Sequence, residues 1–74
     1  MSGAPRTDAE IVEQANDLAR EFYARRGYAV PGGYRFHLAT HPHEVEAWDM
    51  ACLAIDVLTD TDAQAAADNL EDAS

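Results

Sequence analysis

The chain contains no lysine, and its five basic residues are all arginines within the first 38 of 74 residues. A protein that binds nucleic acid directly needs a basic patch to displace the counterions around the phosphates. Residues 39–74 hold nine aspartates and glutamates and no basic residue, so the net charge of −9 lies in that half. This charge argues against direct binding of nucleic acid and favours a basic protein surface as the partner.

Cysteine, serine and long apolar runs are also scarce. A single cysteine, Cys52, excludes an internal disulfide and a multi-cysteine zinc site, and it suits a reducing cytoplasm. Serine occurs only at Ser2 and Ser74, so the interior serine that carrier proteins use to hold a phosphopantetheine arm is missing. No apolar run approaches the roughly 18 residues of a membrane span, and residues 1–6 lack the apolar stretch of a signal peptide. We expect a soluble protein without a cofactor.

The length predicts one domain with a lean core, because a chain of this size buries only about 60–65% of its unfolded surface. We expect residues 1–6 to be disordered, residues 7–71 to form one acidic α-rich domain, and residues 72–74 to be its C-terminal end. The predicted fold class is mainly α. It is a compact three-helix domain with a short β-hairpin or an extended segment between helices one and two.

Helix one is predicted over residues 8–26. Thr7 and Glu10 form a capping box, in which each side chain accepts the backbone N–H of the other. Gly27 suits the left-handed position that ends a helix. Helical spacing predicts that the core side carries Ile11, Ala15, Leu18 and Phe22, widened by Val12, Ala19 and Tyr23.

Residues 28–38 have no helical period, and Pro31 with the two following glycines is a turn signal. The alternation of Tyr34, Phe36 and Leu38 predicts a short hairpin or an ordered extended loop. Two-stranded ribbons are marginal alone, so we expect the aromatic side chains of this segment to pack on the helices.

Helix two begins near Pro42, because proline at the first helical position lacks the N–H that would have no partner there. Its cap is Thr40 or His41. The predicted core face consists of Val45, Trp48, Cys52 and Ile55, extended by Ala47, Ala51, Ala54 and Leu58. Helix three is predicted over about 62–70, with a capping box of Thr61 and Gln64. Its predicted core residues are Ala63, Ala66, Ala67 and Leu70.

Helix two is apolar on a second side as well. Met50, Leu53 and Val57 project into the same sector as four carboxylates, which are Glu46, Asp49, Asp56 and Asp60. Two interpretations are open. Either another element covers this sector and helix two is central, or an apolar stripe flanked by acids is exposed as a partner-binding face.

No catalytic or metal site is predicted. His37, His41 and His43 beside Glu44 have ligand chemistry, but the H-x3-H-x-H spacing straddles a loop and a helix start. We therefore interpret these histidines as surface and capping residues. Cys52 lies on a core face and both serines lie at the ends, so no nucleophile is set beside a base.

Several short sequence segments resemble segments of small proteins encoded by phages and prophages. They are Glu21 to Tyr23, Gly27 with Tyr28, Gly33 to Phe36, Ala39 to Pro42, Trp48 to Ala51, and Leu58 to Asp62. Within that group the chain most resembles the anti-CRISPR inhibitors of type I systems, with type I-C Cascade as the favoured target. The resemblance covers about residues 8–72. It consists of chain length, acidity and these short segments, because anti-CRISPR proteins share no common motif. It implies an inhibitor in the host bacterial cytoplasm.

The function predicted from these observations is stoichiometric inhibition of a type I CRISPR-Cas surveillance complex. An acidic face would act as a partial DNA mimic, occupy the basic surface of the Cas proteins and block target DNA. The predicted partner-binding residues are Glu46, Asp49, Asp56, Asp60, Asp62, Asp68, Glu71 and Asp72. We expect a monomer with no catalytic activity, no metal and no membrane contact. The alternative is another protein-interaction module, an antitoxin or host-enzyme inhibitor, that binds through Met50, Leu53 and Val57.

Overall fold

Three helices make up most of the described chain. A computed structural model describes residues 7–30 and 33–73, apart from the side chains of residues 72 and 73. Helix α1 spans Asp8–Arg25, α2 spans Pro42–Thr59 and α3 spans Ala63–Ala73. The mainly α fold class is confirmed, and no strand occurs within the described ranges. The predicted disordered segment, residues 1–6, lies outside them.

Both ends of α1 follow the predicted local signals. The hydroxyl of Thr7 accepts the N–H of Glu10 at 3.2 Å, and the carboxylate of Glu10 accepts the N–H of Thr7 at 3.0 Å. Arg26 caps the other end, and Gly27 follows with a φ of +90°, a conformation that costs glycine little. The chain then turns back, and the N–H of Tyr28 donates to the carbonyl of Tyr23.

The cap of α2 matches the prediction, whereas the predicted cap of α3 is wrong. His41 precedes Pro42, and its Nδ1 accepts the N–H of His43 at 3.3 Å. Helix α3 is capped by Asp62, whose carboxylate accepts the N–H of Ala65 at 3.0 Å. The predicted cap, Thr61, lies one residue too early, and its hydroxyl donates to the carbonyl of Thr59 instead.

The segment between α1 and α2 forms a single 3₁₀ turn, Phe36–Leu38, so the hairpin alternative does not occur in the described residues. Phe36 is buried, and its ring meets those of Tyr23 and Tyr34 edge to face, with centroids 5.6 and 5.0 Å apart. The predicted packing of aromatic side chains on the helices is confirmed. Pro31 and Gly32, which carried the turn signal, lie outside the described residues.

The core lies where α1 packs against both α2 and α3, and it is rich in alanine. Its buried alanines are Ala15, Ala19, Ala47, Ala51, Ala63, Ala66 and Ala67. The larger buried side chains are Val12, Tyr23, Phe36, Trp48 and Ile55. Small side chains at the contacts let the helix axes approach closely. The helices themselves therefore occupy most of this lean core, and a few aromatic rings fill the rest.

One detail of the predicted core is wrong, and another differs in degree. The buried side of α1 is centred on Val12, Ala15, Ala19 and Tyr23, and the predicted core residues Ile11, Leu18 and Phe22 are partly buried and pack against it. Leu58, predicted to extend the core face of α2, is 79% exposed. Ile55 is the last α2 side chain that the core buries, because the helix ends at Thr59 and the chain reverses at the left-handed Asp60.

Candidate protein-interaction surface

The side of α2 that faces away from the core combines apolar and acidic side chains. Met50, Leu53 and Val57 are 40%, 63% and 74% exposed. We call this surface the outer face of α2, and it consists of Met50, Leu53 and Val57 with the carboxylates of Asp49, Asp56 and Asp60. The interpretation in which another element covers these residues is wrong. The alternative prediction, an exposed apolar stripe flanked by acids, describes the structure.

The position of the outer face follows from how α2 is buried. Trp48 and Ile55 are 4% and 2% exposed and define the buried side of the helix. At about 100° per residue, Leu53 lies about 140° around the helix from Trp48. The helices that pack on Trp48 and Ile55 cannot also reach Leu53, so the second apolar side of α2 meets solvent.

Three carboxylates lie beside the apolar stripe without an ion partner among the described residues. Asp49, Asp56 and Asp60 are exposed, and the described part of the chain gives their side chains no salt bridge. Asp60 is also the left-handed residue, with a φ of 55°, that ends α2. The outer face of α2 therefore presents negative charge along one edge of its apolar stripe.

Glu46 is engaged within the protein. Its carboxylate accepts a hydrogen bond from Nη1 of Arg26, and this ion pair ties the end of α1 to the first turns of α2. Both side chains are half-exposed, so the pair contributes little to stability, about 0–1 kcal/mol. A partner that used Glu46 would have to compete with Arg26.

The remaining predicted partner-binding residues lie on α3 or immediately before it. Asp62 caps α3, and Asp68 accepts a hydrogen bond from Nε2 of Gln64 at 3.1 Å. Glu71 acts electrostatically on His37. The side chain of Asp72 lies outside the described residues. Of the eight predicted residues, the structure brings Asp49, Asp56 and Asp60 together beside the apolar stripe.

Cys52 lies between the core and the outer face, and its thiol is poorly suited to act as a nucleophile. Burial, and then the nearby carboxylates of Asp49 and Asp62, raise the pKa of the Cys52 thiol to about 11. At neutral pH the thiol is protonated, whereas nucleophilic cysteines are thiolates.

The histidines occupy three different environments. His41 caps α2 as predicted, and the exposed His43 stacks on Tyr28 with ring centroids 5.3 Å apart. His37, predicted to be a surface residue, is half-buried and bonded to Asn16. Among the described residues, no three histidine, cysteine or acidic side chains are placed to share a metal ion.

Asn16 is a core residue that the sequence analysis missed. It is 9% exposed on the buried side of α1, where its amide bonds Val12, Phe36 and His37. A polar residue within the stripe of Val12, Ala19 and Tyr23 was the available signal, since a buried amide needs partners. The amide holds the 3₁₀ turn against α1.

The hydroxyl of Tyr34 donates a hydrogen bond to the carboxylate of Glu44, which raises the pKa of Tyr34 to about 12. This bond joins the segment before the 3₁₀ turn to the first turn of α2. Glu44 is therefore held within the fold, unlike the carboxylates of the outer face.

A groove of about 480 Å³ lies between α1, residues 33–37 and Leu70. Charged side chains of both signs line it, namely Glu13, Asp17, Arg20 and Arg35. Arg20 already pairs with Asp17 at 3.2 Å and donates to the carbonyl of Tyr34. This mixture of charges gives the groove no preference for an anion or a cation.

A comparison of the chain with protein-family models, curated proteins and solved structures finds no match in any of the three. Within the described residues, no helix combines the length and apolar character needed to cross a bilayer.

Proposed function

We propose that this protein is a stoichiometric inhibitor that binds a basic surface of another protein through the outer face of α2. The observation that carries the proposal is the exposure of Met50, Leu53 and Val57 next to carboxylates that lack an ion partner in the described chain. A small domain gains stability from each apolar side chain it buries, so a contiguous exposed stripe indicates a site of interaction. The acidic edge selects a basic partner.

As the target we propose the basic DNA-binding surface of a type I CRISPR-Cas surveillance complex in the host cytoplasm. The identity of this target rests on the resemblance to anti-CRISPR proteins. Asp49, Asp56 and Asp60 would compete with DNA phosphates for arginine and lysine side chains, and the apolar stripe would add contact that DNA does not make. The protein acts without catalysis or a cofactor.

The proposed inhibitor acts as a monomer. Two copies that met through the outer face of α2 would bring their carboxylates together, and like charges in contact oppose association. The acidic half of the chain, with no basic residue after residue 38, offers no compensating charge.

We expect the double variant Asp49→Lys, Asp56→Lys to bind the target at least about tenfold more weakly, which corresponds to about 1.4 kcal/mol. Each reversal replaces an attraction to the basic surface by a repulsion. Glu46 is left unchanged because its reversal would also break the ion pair with Arg26. The measurement is DNA capture by a purified type I complex titrated with each variant, with circular dichroism to confirm folding.

The matched control is Glu13→Lys, Asp17→Lys, which changes the net charge equally on α1. Both residues are exposed, and neither belongs to the outer face of α2. Reversal of Asp17 also breaks its exposed ion pair with Arg20, which contributes about 0–1 kcal/mol, so circular dichroism checks the fold of this control as well. Inhibition by this control should persist. If both double variants inhibit like the parent protein, the acidic edge is a solvated surface and the charge-based proposal is wrong.

A second candidate function is an interaction module of another kind, an antitoxin or a host-enzyme inhibitor, that binds mainly through the apolar stripe. The high exposure of Leu53 and Val57 favours it. We expect Leu53→Ser, Val57→Ser to change the free energy of unfolding by no more than about 0.5 kcal/mol per site, because both side chains are on the surface. Denaturant unfolding of the variant checks this.

The same serine variant separates the two candidates when binding is measured at two salt concentrations. A complex held by charge weakens steeply as ionic strength rises, whereas an apolar complex is nearly insensitive to it. Binding that is lost in the serine variant and insensitive to salt in the parent protein would favour the second candidate.

A further inference from the structure

His37 lies where all the helical elements of the described chain meet. Its Nδ1 is 3.0 Å from Nδ2 of Asn16 on α1, and its ring centroid is 5.8 Å from that of Trp48 on α2. Glu71 on α3 acts on it electrostatically. Its neighbour in the 3₁₀ turn, Phe36, is buried in the core. A change in the protonation of His37 therefore affects its interactions with all three helices.

The amide of Asn16 determines which ring nitrogen of His37 carries hydrogen. Its Oδ1 accepts the N–H of Phe36, so the other end of the amide is the NH₂ group. One hydrogen of Nδ2 goes to the carbonyl of Val12 at 3.0 Å, and the second faces Nδ1 of His37. A donor there requires a lone pair, so Nδ1 is unprotonated and the neutral ring carries its hydrogen on Nε2.

We infer that His37 is an acid-sensitive latch: a proton added at Nδ1 abolishes the hydrogen bond from Asn16 and loosens the attachment of the Phe36–Leu38 turn to α1. The turn is then held by the remaining bond from the N–H of Phe36 to Asn16 and by the buried ring of Phe36. Protonation turns the acceptor into a second donor, and two N–H groups cannot share one hydrogen bond. The amide of Asn16 cannot rotate by 180° so that its oxygen accepts the new N–H of His37. In that orientation the oxygen would lose the N–H of Phe36 and would face the carbonyl oxygen of Val12.

Some of the charged groups around His37 lower its pKa and others raise it. Arg35, in its own segment, disfavours the proton, and Glu71 on α3 favours it. The charged residues of α1 that line the same groove are Glu13, Asp17 and Arg20. From α2 the neighbour is the uncharged ring of Trp48.

Burial is the largest of these effects, and with Arg35 it lowers the pKa of His37 from the ordinary value of 6.5. The unfolded chain then takes up this proton before the folded chain does. The contribution of His37 to stability is therefore complete above about pH 6.5 and declines as the pH falls from there through the pKa of the folded state.

Nitrogen NMR of the isotope-labelled protein between about pH 7.5 and pH 5 tests the latch. We expect His37 to carry hydrogen on Nε2 at neutral pH and to titrate below 6.5. The amide signals of residues 35–38 and the fluorescence of Trp48 should change with the same midpoint. Hydrogen found on Nδ1 at neutral pH, or unchanged signals of residues 35–38 while His37 takes up its proton, would overturn the inference.

Two variants separate His37 from other titrating groups. His37→Asn keeps an acceptor oxygen near the place of Nδ1 and cannot take up a proton, so the transition should be lost. His41→Asn removes an exposed histidine and places a good capping residue before α2, so the transition should persist. A transition that persists in a folded His37→Asn variant belongs to another titrating group, a carboxylate or one of the other two histidines, and overturns the latch. If His37→Asn fails to fold, the nitrogen NMR of His37 in the parent protein still tests the inference.

Discussion

Replacement of Trp48 by alanine should cost about 3–5 kcal/mol of the free energy of unfolding, as expected when a large buried aromatic side chain is truncated. Trp48 is 4% exposed, lies against His37, and donates a hydrogen bond from Nε1 to Gln64 at 2.6 Å. It joins α2 to α3 and to the 3₁₀ turn. Since small domains are stable by about 5–15 kcal/mol, and lean ones by the lower values, Trp48→Ala should be largely unfolded.

Urea denaturation followed by far-ultraviolet circular dichroism measures this loss. Leu53→Ala on the same helix is the control, because it also shortens a large apolar side chain but at an exposed site. It should change stability by no more than about 0.5 kcal/mol. A folded Trp48→Ala protein with nearly unchanged stability would show that α2 is rotated from the orientation described here.

Asn16→Ala should have the second largest effect, about 2–4 kcal/mol, because it removes the amide that bonds Val12, Phe36 and His37. The buried N–H of Phe36 loses its acceptor, and Nδ1 of His37 loses its donor. A buried polar group without a partner costs about 1–3 kcal/mol, more than the net gain from a typical hydrogen bond. The alanine variant also leaves a small cavity beside Val12.

Denaturant unfolding at neutral pH checks this value, and Glu13→Ala serves as the control on the exposed side of α1. The control should lie within about 0.5 kcal/mol of the parent protein. If Asn16→Ala were as stable as Glu13→Ala, the amide would not hold the 3₁₀ turn, and the basis of the His37 latch would be lost.

The features predicted correctly from the sequence depend on residues close together in the chain. The capping box of Thr7 and Glu10, the glycine that follows α1 and the proline at the start of α2 each act within one helical turn. Their partners are fixed by spacing, so a local rule is sufficient. The burial of Trp48 was also predicted, because it lies in the middle of a continuous apolar side of α2.

The features that were missed depend on contacts between distant parts of the chain. Asn16 is separated from Phe36 by 20 residues, and Arg26 is separated from Glu46 by the same number. No periodicity links such positions. The choice between Thr61 and Asp62 as a cap was missed for another reason, since both residue types are good caps and the helix start decided between them.

The candidate surface was predicted in part. The sequence showed that Met50, Leu53 and Val57 share a sector with acidic residues, but periodicity could not say whether another helix covers it. The structure decides that point through the exposure of Leu53 and Val57. Tertiary contacts also remove Glu46 from the carboxylates that lack a partner, because the end of α1 brings Arg26 beside it.

The alanine-rich interior has a consequence for how this protein tolerates change. Alanine loses no side-chain rotamer entropy when it is buried, so this core is ordered at low entropic cost. The same close contacts leave no space for added methyl groups, and overpacking typically costs about 1–3 kcal/mol. Substitutions that preserve the fold should therefore be concentrated on the exposed surfaces, and the outer face of α2 is one of them. That surface can change its partner while the interior stays fixed.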